Sequence, residues 1–430
     1  LANAFADSAF SGKKFSRDRA QFERPDILES KHFDYTTFFS VILLTIVGFL
    51  AIYSATYDAA MNIRFKNQLW FAGAGLTVML IMTFLPVRWL EVSAYVLYAI
   101  ALILLVYVAI EGRKVNGHRS WIMIGQMQFQ PSELAKLATI FAMGRFLGKD
   151  RNLTQIVPLL TTIALVILPV ILVMLEPDPG SAIIFVGFLG IILLWSGADL
   201  FILSAITAPA AVAVLSLFGR TPMLISVLVG GAVLFLVFRR NLVLTVSCYG
   251  LIIAIAFSTN FIYNHLPQYQ QKRAQVLLDP ELDPLGAGYN VIQTRMAIGS
   301  GGLTGKGYLK GTQTQLRYVP KQWTDFIISV PAEEFGFVGA VVILLLYLFV
   351  IFRGVAIASS SRSKFSSVVA IGIASIWFLH VTVNIGMALG LMPVVGIPLP
   401  FMSYGGTALL TNLLMAGILM NLYRNRRVLF

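Results

Sequence analysis

Apolar runs of about twenty residues, each long enough for a helix to cross a bilayer core, recur along this chain with polar breaks between them. They fall near 38–56, 68–85, 91–110, 131–147, 157–175, 181–196, 200–218, 222–238, 242–261, 327–351, 367–391 and 406–423. The pattern predicts an all-helical polytopic membrane protein with about twelve spans, one of them (181–196) short, and with both termini on one side. Residues 1–35 are polar and read as a flexible cytoplasmic tail rather than a signal peptide, because no apolar core closely follows their basic residues. Residues 262–326 form the long polar stretch between spans. It ends at Trp323-Thr324-Asp325-Phe326, where the chain turns apolar again, and Glu333-Glu334 follow. An acidic residue at a membrane mouth is costly, which makes Asp325 a functional candidate before any motif is considered.

Composition excludes a soluble class. Hydrophobic residues make up 57% and charged residues 12%, and the mean hydropathy is +0.80; a soluble domain carries about 25% charged residues. The net charge of +12 is spread over short loops and termini. It therefore reads as a topology signal and an attraction to anionic headgroups, not as a nucleic-acid footprint. With the N-terminus inside, the inner segments hold 18 Lys and Arg against 6 in the short outer loops, the long loop being set aside. Residues 262–326 then face outward. So do the polar loop Glu111–Gln130, which contains Trp121, and the segment Met392–Gly406. Pro393, Gly396, Pro398, Pro400, Gly405 and Gly406 forbid regular helix in that last segment, and the three segments together can roof one site. The single cysteine, Cys248, allows no intrachain disulfide or thiolate cluster, and His32, His118, His265 and His380 have no metal-binding spacing.

Several motifs keep two readings open. Gly299-Ser300-Gly301-Gly302-Leu303-Thr304-Gly305-Lys306-Gly307 is not a nucleotide loop, since Ser300 stands where the first Gly is required and Gly307 where Ser or Thr is required. It is either a plain turn or a glycine loop that contacts a headgroup or pyrophosphate through backbone N–H groups. Gln130-Pro131-Ser132-Glu133-Leu134-Ala135-Lys136 opens a span, with Pro131 at the first helical position and Glu133 at the positive helix end. Glu133 and Lys136 are i,i+3 neighbours and form either a structural pair or a cation site for a phosphate or sugar carboxylate. Asp178, in Glu176-Pro177-Asp178-Pro179-Gly180-Ser181, is a helix cap or turn residue. Asp325 opens a span containing Pro331. On an ideal helix Glu333 lies about 80° from it and Glu334 on the opposite face, and Asp325 is either a cap or a chemical group.

Taken in order, these motifs resemble the SEDS family (shape, elongation, division and sporulation), whose members polymerise peptidoglycan glycan strands from lipid II. The matching segments are Arg119-Ser120-Trp121-Ile122, Gln130 to Lys136, Pro177-Asp178-Pro179-Gly180 and Asp283-Pro284-Leu285-Gly286-Ala287-Gly288-Tyr289. They continue with Ile298 to Leu303, Thr324-Asp325-Phe326-Ile327, Ala332-Glu333-Glu334-Phe335-Gly336 and Leu399-Pro400-Phe401-Met402-Ser403-Tyr404-Gly405-Gly406. Ile397-Pro398-Leu399-Pro400-Phe401 looks like the RodA (elongation) branch rather than the FtsW (division) branch. The resemblance runs from about residue 35 to the C-terminus. It implies a transmembrane domain over 36–430 with a family core of ten helices, so the three runs in 199–261 would include two extra helices.

The resemblance also implies an activity, an inverting glycosyl transfer that builds glycan strands for cell elongation and rod shape. Asp325 aligns with the family's essential acidic residue and would be the general base. Trp121, Arg119, Lys136, Glu133, Asp178, Ser403 and Lys306 are the residues expected at the substrate. Trp323 stands where His is common, Arg317 where an acidic residue often precedes the Pro, and Pro-Asp-Pro-Gly-Ser where Pro-Asp-Leu-Gly-Thr is usual. Arg317 argues against a second carboxylate or shared metal ligand there. A divalent cation (Mg or Mn) is a candidate aid to the leaving group, and no organic cofactor is expected. The implied partners are lipid II, a class B penicillin-binding transpeptidase, the elongation machinery and membrane lipids, with no nucleic acid. The implied location is the bacterial cytoplasmic (inner) membrane, with both termini cytoplasmic and the active site extracytoplasmic. Two rivals are a lipid II flippase, which predicts charged residues deep in several spans, and a non-catalytic scaffold for the transpeptidase, which predicts a dispensable Asp325.

Overall fold

A computed structural model describes residues 32–57, 62–115, 118–124, 127–149, 151, 153–216, 219–237, 242–265, 280–283 and 288–426. The expected tail through residue 31, part of the long polar loop and positions 284–287 of one motif lie outside the described residues. Helices α1 (Tyr35–Ala55), α2 (Asn62–Phe84) and α3 (Val87–Glu111) come first, followed by α4 (Pro131–Leu147), α5 (Ile156–Leu175) and α6 (Pro179–Trp195). Next are α7 (Leu200–Ser216), α8 (Arg220–Ala232, extended by a π turn at Val233–Val237) and α9 (Leu242–His265). After the short helices α10 (Tyr289–Ser300), α11 (Thr312–Gln315) and α12 (Ser329–Glu334), the chain closes with α13 (Gly336–Ser360), α14 (Lys364–Ala388) and α15 (Gly406–Arg424). Eight of these helices are long and apolar enough to cross a membrane; α4, α6, α7 and α8 are 17 residues or shorter.

The ends of the helices follow local chemistry. Asp34 caps α1, its carboxylate accepting from the backbone N–H of Thr37 (3.3 Å) and the hydroxyls of Thr36 and Thr37 (2.7 and 2.6 Å). Arg353 of α13 grips the same carboxylate through Nη2 (3.0 Å) and Nε (3.3 Å). Pro131 opens α4 as the sequence anticipates. Glu111–Gln130, read from sequence as a polar loop, holds a three-stranded antiparallel sheet: β1 (Arg113–Val115), β2 (His118–Ile124) and β3 (Met127–Phe129), in the order β1-β2-β3. Its register pairs Arg113 with Trp121 and Ile122 with Phe129.

One further expectation needs correcting. The span read from residue 327 does not begin there: residues 321–328 form irregular turns, α12 is a single short helix, and the long helix starts at Gly336. Gly336 has φ +66, and a Cβ on it would lie 2.3 Å from the backbone nitrogen of Gly305 and 2.6 Å from the Leu303 carbonyl oxygen. The break is therefore set by the glycine loop docking there. Asp325 is left outside any helix, so the ideal-helix angles to Glu333 and Glu334 do not apply.

Burial ranks the helices from centre to rim. Among the eight span-length helices, 72% of the apolar stretch of α14 is buried and 67% of that of α15, against 17% in α9; the shorter α4 is also mostly buried. The central pair is joined by Trp377 Nε1 donating to Asn412 Oδ1 (2.9 Å). Helix α15 lies so close to α2 that a Cβ on Gly417 would sit 2.3 Å from the Met79 carbonyl oxygen, the small-residue packing that lets membrane helices approach closely. Helices α7–α9 share a separate small core of Phe201, Val212, Met223, Leu234, Ile252 and Ala256.

The turn between α5 and α6 carries an unusual group. Glu176 is fully buried, and neither carboxyl oxygen has a hydrogen-bond partner among the described residues. Burial, with the nearby Asp178 charge, pushes its pKa from 4.5 up to about 8, while the Ser120 hydroxyl donates to the Glu176 backbone carbonyl (3.4 Å) and not to the carboxylate.

Two consequences can be measured on purified protein in detergent. Gly417→Ala should lower stability by about 1–3 kcal/mol, because the added methyl meets backbone rather than a movable side chain; an unchanged melting temperature would contradict the close contact. Glu176 takes up a proton on folding between its unfolded and folded pKa values, so it makes stability fall as pH rises from about 4.5 to about 8. Glu176→Gln should therefore gain on the native chain as pH rises through that window, and parallel melting curves at all pH values would refute the assignment.

Candidate active site

Asp325 lies in the turn segment between α11 and α12, and its backbone is held from two sides. The Asn384 side-chain amide donates one hydrogen to the Asp325 carbonyl (2.8 Å) and the other to the Ile397 carbonyl (2.8 Å). One residue earlier, the Ser403 hydroxyl donates to the Thr324 carbonyl (2.6 Å) while accepting from the Leu399 N–H (2.8 Å). The Tyr404 N–H donates to the Trp323 carbonyl (2.8 Å). The segment carrying Asp325 is thus laced to the Pro- and Gly-rich stretch 392–405, which has no regular structure, as its composition anticipates.

The Asp325 carboxyl is half-buried. Burial pushes its pKa above the usual carboxylate range, and the Lys321 charge and the Thr324 hydroxyl offset only part of the rise. Gly396, at φ +70, lies against it: a Cβ there would be 3.7 Å from Asp325 Oδ2. The Arg64 guanidinium sits 4.3 Å over the ring of Trp323, two residues from the acid. One partly exposed acid, a lysine charge and a cation-backed aromatic ring therefore share one mouth.

Glu133 and Lys136 meet as their i,i+3 spacing anticipates, Nζ to Oε1 at 2.8 Å. Both are buried, Lys136 to 1% exposure, and its ammonium also lies 3.0 Å from His380 Nε2. Asp178 caps α6, accepting from the Ser181 N–H (3.0 Å) and hydroxyl (2.8 Å) and from Gln130 Nε2 (3.2 Å). This cap is brought to stretch 392–405, since a Cβ on Gly180 would lie 2.6 Å from the Val395 carbonyl oxygen. Trp121 is half-buried in β2. Arg119 also lies in β2, and its side chain is outside what is described.

Lys306 belongs to a different cluster. Its ammonium donates to Glu333 Oε1 (2.7 Å), Ser300 Oγ (2.8 Å) and Thr312 Oγ1 (2.7 Å). The backbone N–H groups of Lys306 and Gly307 donate to the carbonyls of Glu333 (3.1 Å) and Glu334 (2.9 Å). The Lys306 and Gly307 N–H groups thus pin the loop to α12, and its glycines permit the approach. A Cβ on Gly301 or Gly305 would lie 2.1 Å from the Ala332 or Glu334 carbonyl oxygen, respectively.

The structure adds residues that the sequence reading did not single out. His380 and Asn384, one turn apart on central helix α14, reach stretch 392–405 and both flanks of the site. Gln68 of α2 holds the other end of the stretch, donating to the Ser403 carbonyl (3.2 Å) and accepting from the Gly405 N–H (3.2 Å). The available signal was a pair of polar side chains at i,i+4 inside an apolar helix.

Comparison with known proteins agrees with this geometry. A family model described as cell cycle protein, covering FtsW, RodA and SpoVE, matches residues 35–225 and 221–428. The chain is 37% identical over 399 residues to the peptidoglycan glycosyltransferase MrdB of Escherichia coli K12, spanning 93% of this chain and 95% of that protein. It is 30% identical to the peptidoglycan glycosyltransferase RodA of Treponema pallidum, over 91% and 97% of the two chains. Among solved structures, a chain of a peptidoglycan synthase complex that coordinates polymerization and crosslinking superposes with a TM-score of 0.72, at 29% identity and 92% and 98% coverage. The rod shape determining protein RodA of Thermus thermophilus superposes with a TM-score of 0.62, at 26% identity and 94% and 100% coverage. The motifs, the helical architecture and matches along nearly the whole described chain converge, and this chain belongs to the FtsW/RodA/SpoVE family of SEDS proteins.

Proposed function

We propose that this chain is a peptidoglycan glycosyltransferase that polymerises lipid II at the outer face of the bacterial cytoplasmic membrane, with Asp325 as general base. The supporting observation is the Asp325 carboxyl itself, whose backbone is fixed by Asn384 while burial raises its basicity. In the reaction the carboxylate takes the proton from the 4-hydroxyl of the acceptor GlcNAc. The oxygen attacks C1 of the donor MurNAc from the face opposite the leaving group. The C1–O bond breaks, and undecaprenyl pyrophosphate departs with the bonding electrons and with inversion at C1. Lys321 supplies positive charge beside the site as charge develops on the leaving group, and Arg119 is a further candidate cation.

The membrane orientation rests on the distribution of Lys and Arg, 18 inner against 6 outer. A divalent ion finds a poor protein cage, since no three His, Cys, Asp or Glu side chains among the described residues could hold one. Mg keeps several waters and takes one or two carboxylates with substrate phosphates. A Mg or Mn ion would therefore be held chiefly by the pyrophosphate oxygens, where it would neutralise charge on the leaving group. A class B penicillin-binding transpeptidase is the proposed partner, by analogy with the related complex that joins polymerization to crosslinking. Helices α7–α9, with their own small core, contain the two proposed extra helices. The seam between the two family matches, at residues 221–225, falls within α8.

Asp325→Asn in purified, folded protein should abolish polymerisation of lipid II on gels, and undiminished glycan product would refute the assignment. A base works only when deprotonated, so native activity should rise with pH along an acidic limb set above the ordinary carboxylate range. A limb at or below pH ~4, near the unperturbed value for Asp, would contradict the burial of this acid. Ser403→Ala should leave the acid in place but loosen its segment, with turnover falling about 10- to 100-fold; native turnover in this variant would mean that the Ser403 contact does not position Asp325.

A further inference from the structure

We infer that His380 is a positioning residue of this site, a neutral imidazole that couples the buried Lys136 ammonium to the backbone carrying the Asp325 segment. This deepens the proposed transferase reading and rests on it. His380 is 2% exposed on central helix α14, and its two ring nitrogens face different partners. Nδ1 lies 3.1 Å from the Pro398 carbonyl oxygen, and Nε2 lies 3.0 Å from Lys136 Nζ.

The partners determine the protonation state. A carbonyl can only accept, so Nδ1 must carry the hydrogen. A lysine ammonium can only donate, so Nε2 must offer its lone pair. Only the neutral Nδ1–H tautomer satisfies both contacts; an imidazolium would set two cations against each other in a buried place. Lys136 then donates to Glu133 on one side and to His380 on the other, both buried.

Geometry carries the coupling further. Pro398 follows Ile397, whose carbonyl is held by Asn384, one turn along α14 from His380. The same Asn384 amide holds the Asp325 carbonyl. One helix face thus fixes the position of the lysine through His380 and that of the acid through Asn384, with the stretch at 397–398 clamped between them. A reaction that needs its base held to within a fraction of an ångström is sensitive to such a register. His380 touches no reacting atom in this scheme; it acts through Lys136 and the Pro398 backbone.

The test uses full-length protein with lipid II, together with isotope-labelled histidine for magnetic resonance. Four histidines are present, and the His380 signal is assigned by its loss in His380→Gln. The expected spectrum shows a neutral Nδ1–H ring that changes when Lys136 is replaced by Met; an Nε2–H ring or an imidazolium overturns the inference. In turnover, His380→Ala should lose about 10- to 100-fold in kcat with little change in KM. His380→Gln, whose amide supplies an acceptor oxygen and a donor nitrogen, should recover most of that loss. Native turnover in His380→Ala, or equal losses in the Ala and Gln variants at unchanged melting temperature, overturns the inference. Failure of the native protein to polymerise lipid II would instead sink the transferase reading, and the tautomer result would still stand or fall on its own.

Discussion

Residues 392–405 run without helix or strand against the largely buried helices α14 and α15, and the polar backbone groups buried there need partners. An apolar bundle supplies few, and a backbone group left unpaired in such a setting costs several kcal/mol, on the order of a lost hydrogen bond in hydrocarbon. The partners are side chains placed for that purpose: His380 for Pro398, Asn384 for Ile397, Ser403 for Leu399, Gln68 for Ser403 and Gly405, and the Tyr347 hydroxyl for Pro400. Because Asn384 and Ser403 also hold Asp325 and Thr324, satisfying this stretch also sets the position of the acid. Fold and site share one set of hydrogen bonds.

A second set braces the acid from the polar loop. Glu333 gathers the N–H groups of Gln313 and Thr314 and the Thr314 hydroxyl, each within 3.0 Å, together with Lys306. Glu334 accepts from the Ser54 hydroxyl and from the Leu309 N–H. Gln315 and Gln322 reach the end of α1 through the carbonyls of Ser54 and Ala55. The two glutamates, which looked from sequence like companions of Asp325 on one helix, instead pin its loop to α1 and α12.

How much of this was legible in the sequence depended on the range of the forces involved. Helix-length apolar runs reveal spans because lipid demands them locally, and each of the twelve expected runs contains a helix. The run from 327 is broken before Gly336, and eight of the helices are long and apolar enough to cross a membrane. The Asp178 cap and the Glu133–Lys136 pair were readable because their partners lie three residues away. The sheet at 113–129 was missed because β1 and β3 have only three residues and β2 (His118–Ile124) runs from polar to apolar instead of alternating. The helix break at Gly336 was missed because its cause is Gly305, far along the chain. His380 and Asn384 were visible as polar residues in an apolar helix, but their partners are carbonyls, which every sequence has everywhere. Glu176 looked like one more turn residue, since burial without a partner leaves no mark on local sequence.

The contact of α15 with α2 has a mechanical side. With Gly417 against the Met79 backbone, and Phe71 so close to Gly406 that a Cβ there would fall 2.3 Å from its ring, neither helix can roll or slide on the other without collision. The pair moves as one rib, and Gln68 rides on it, carrying Ser403 and the end of the stretch that steadies Asp325. On the proposed reading, the gap that admits a prenyl tail opens between other, less enclosed helices, and substrate enters and product leaves while the Asp325 segment stays still.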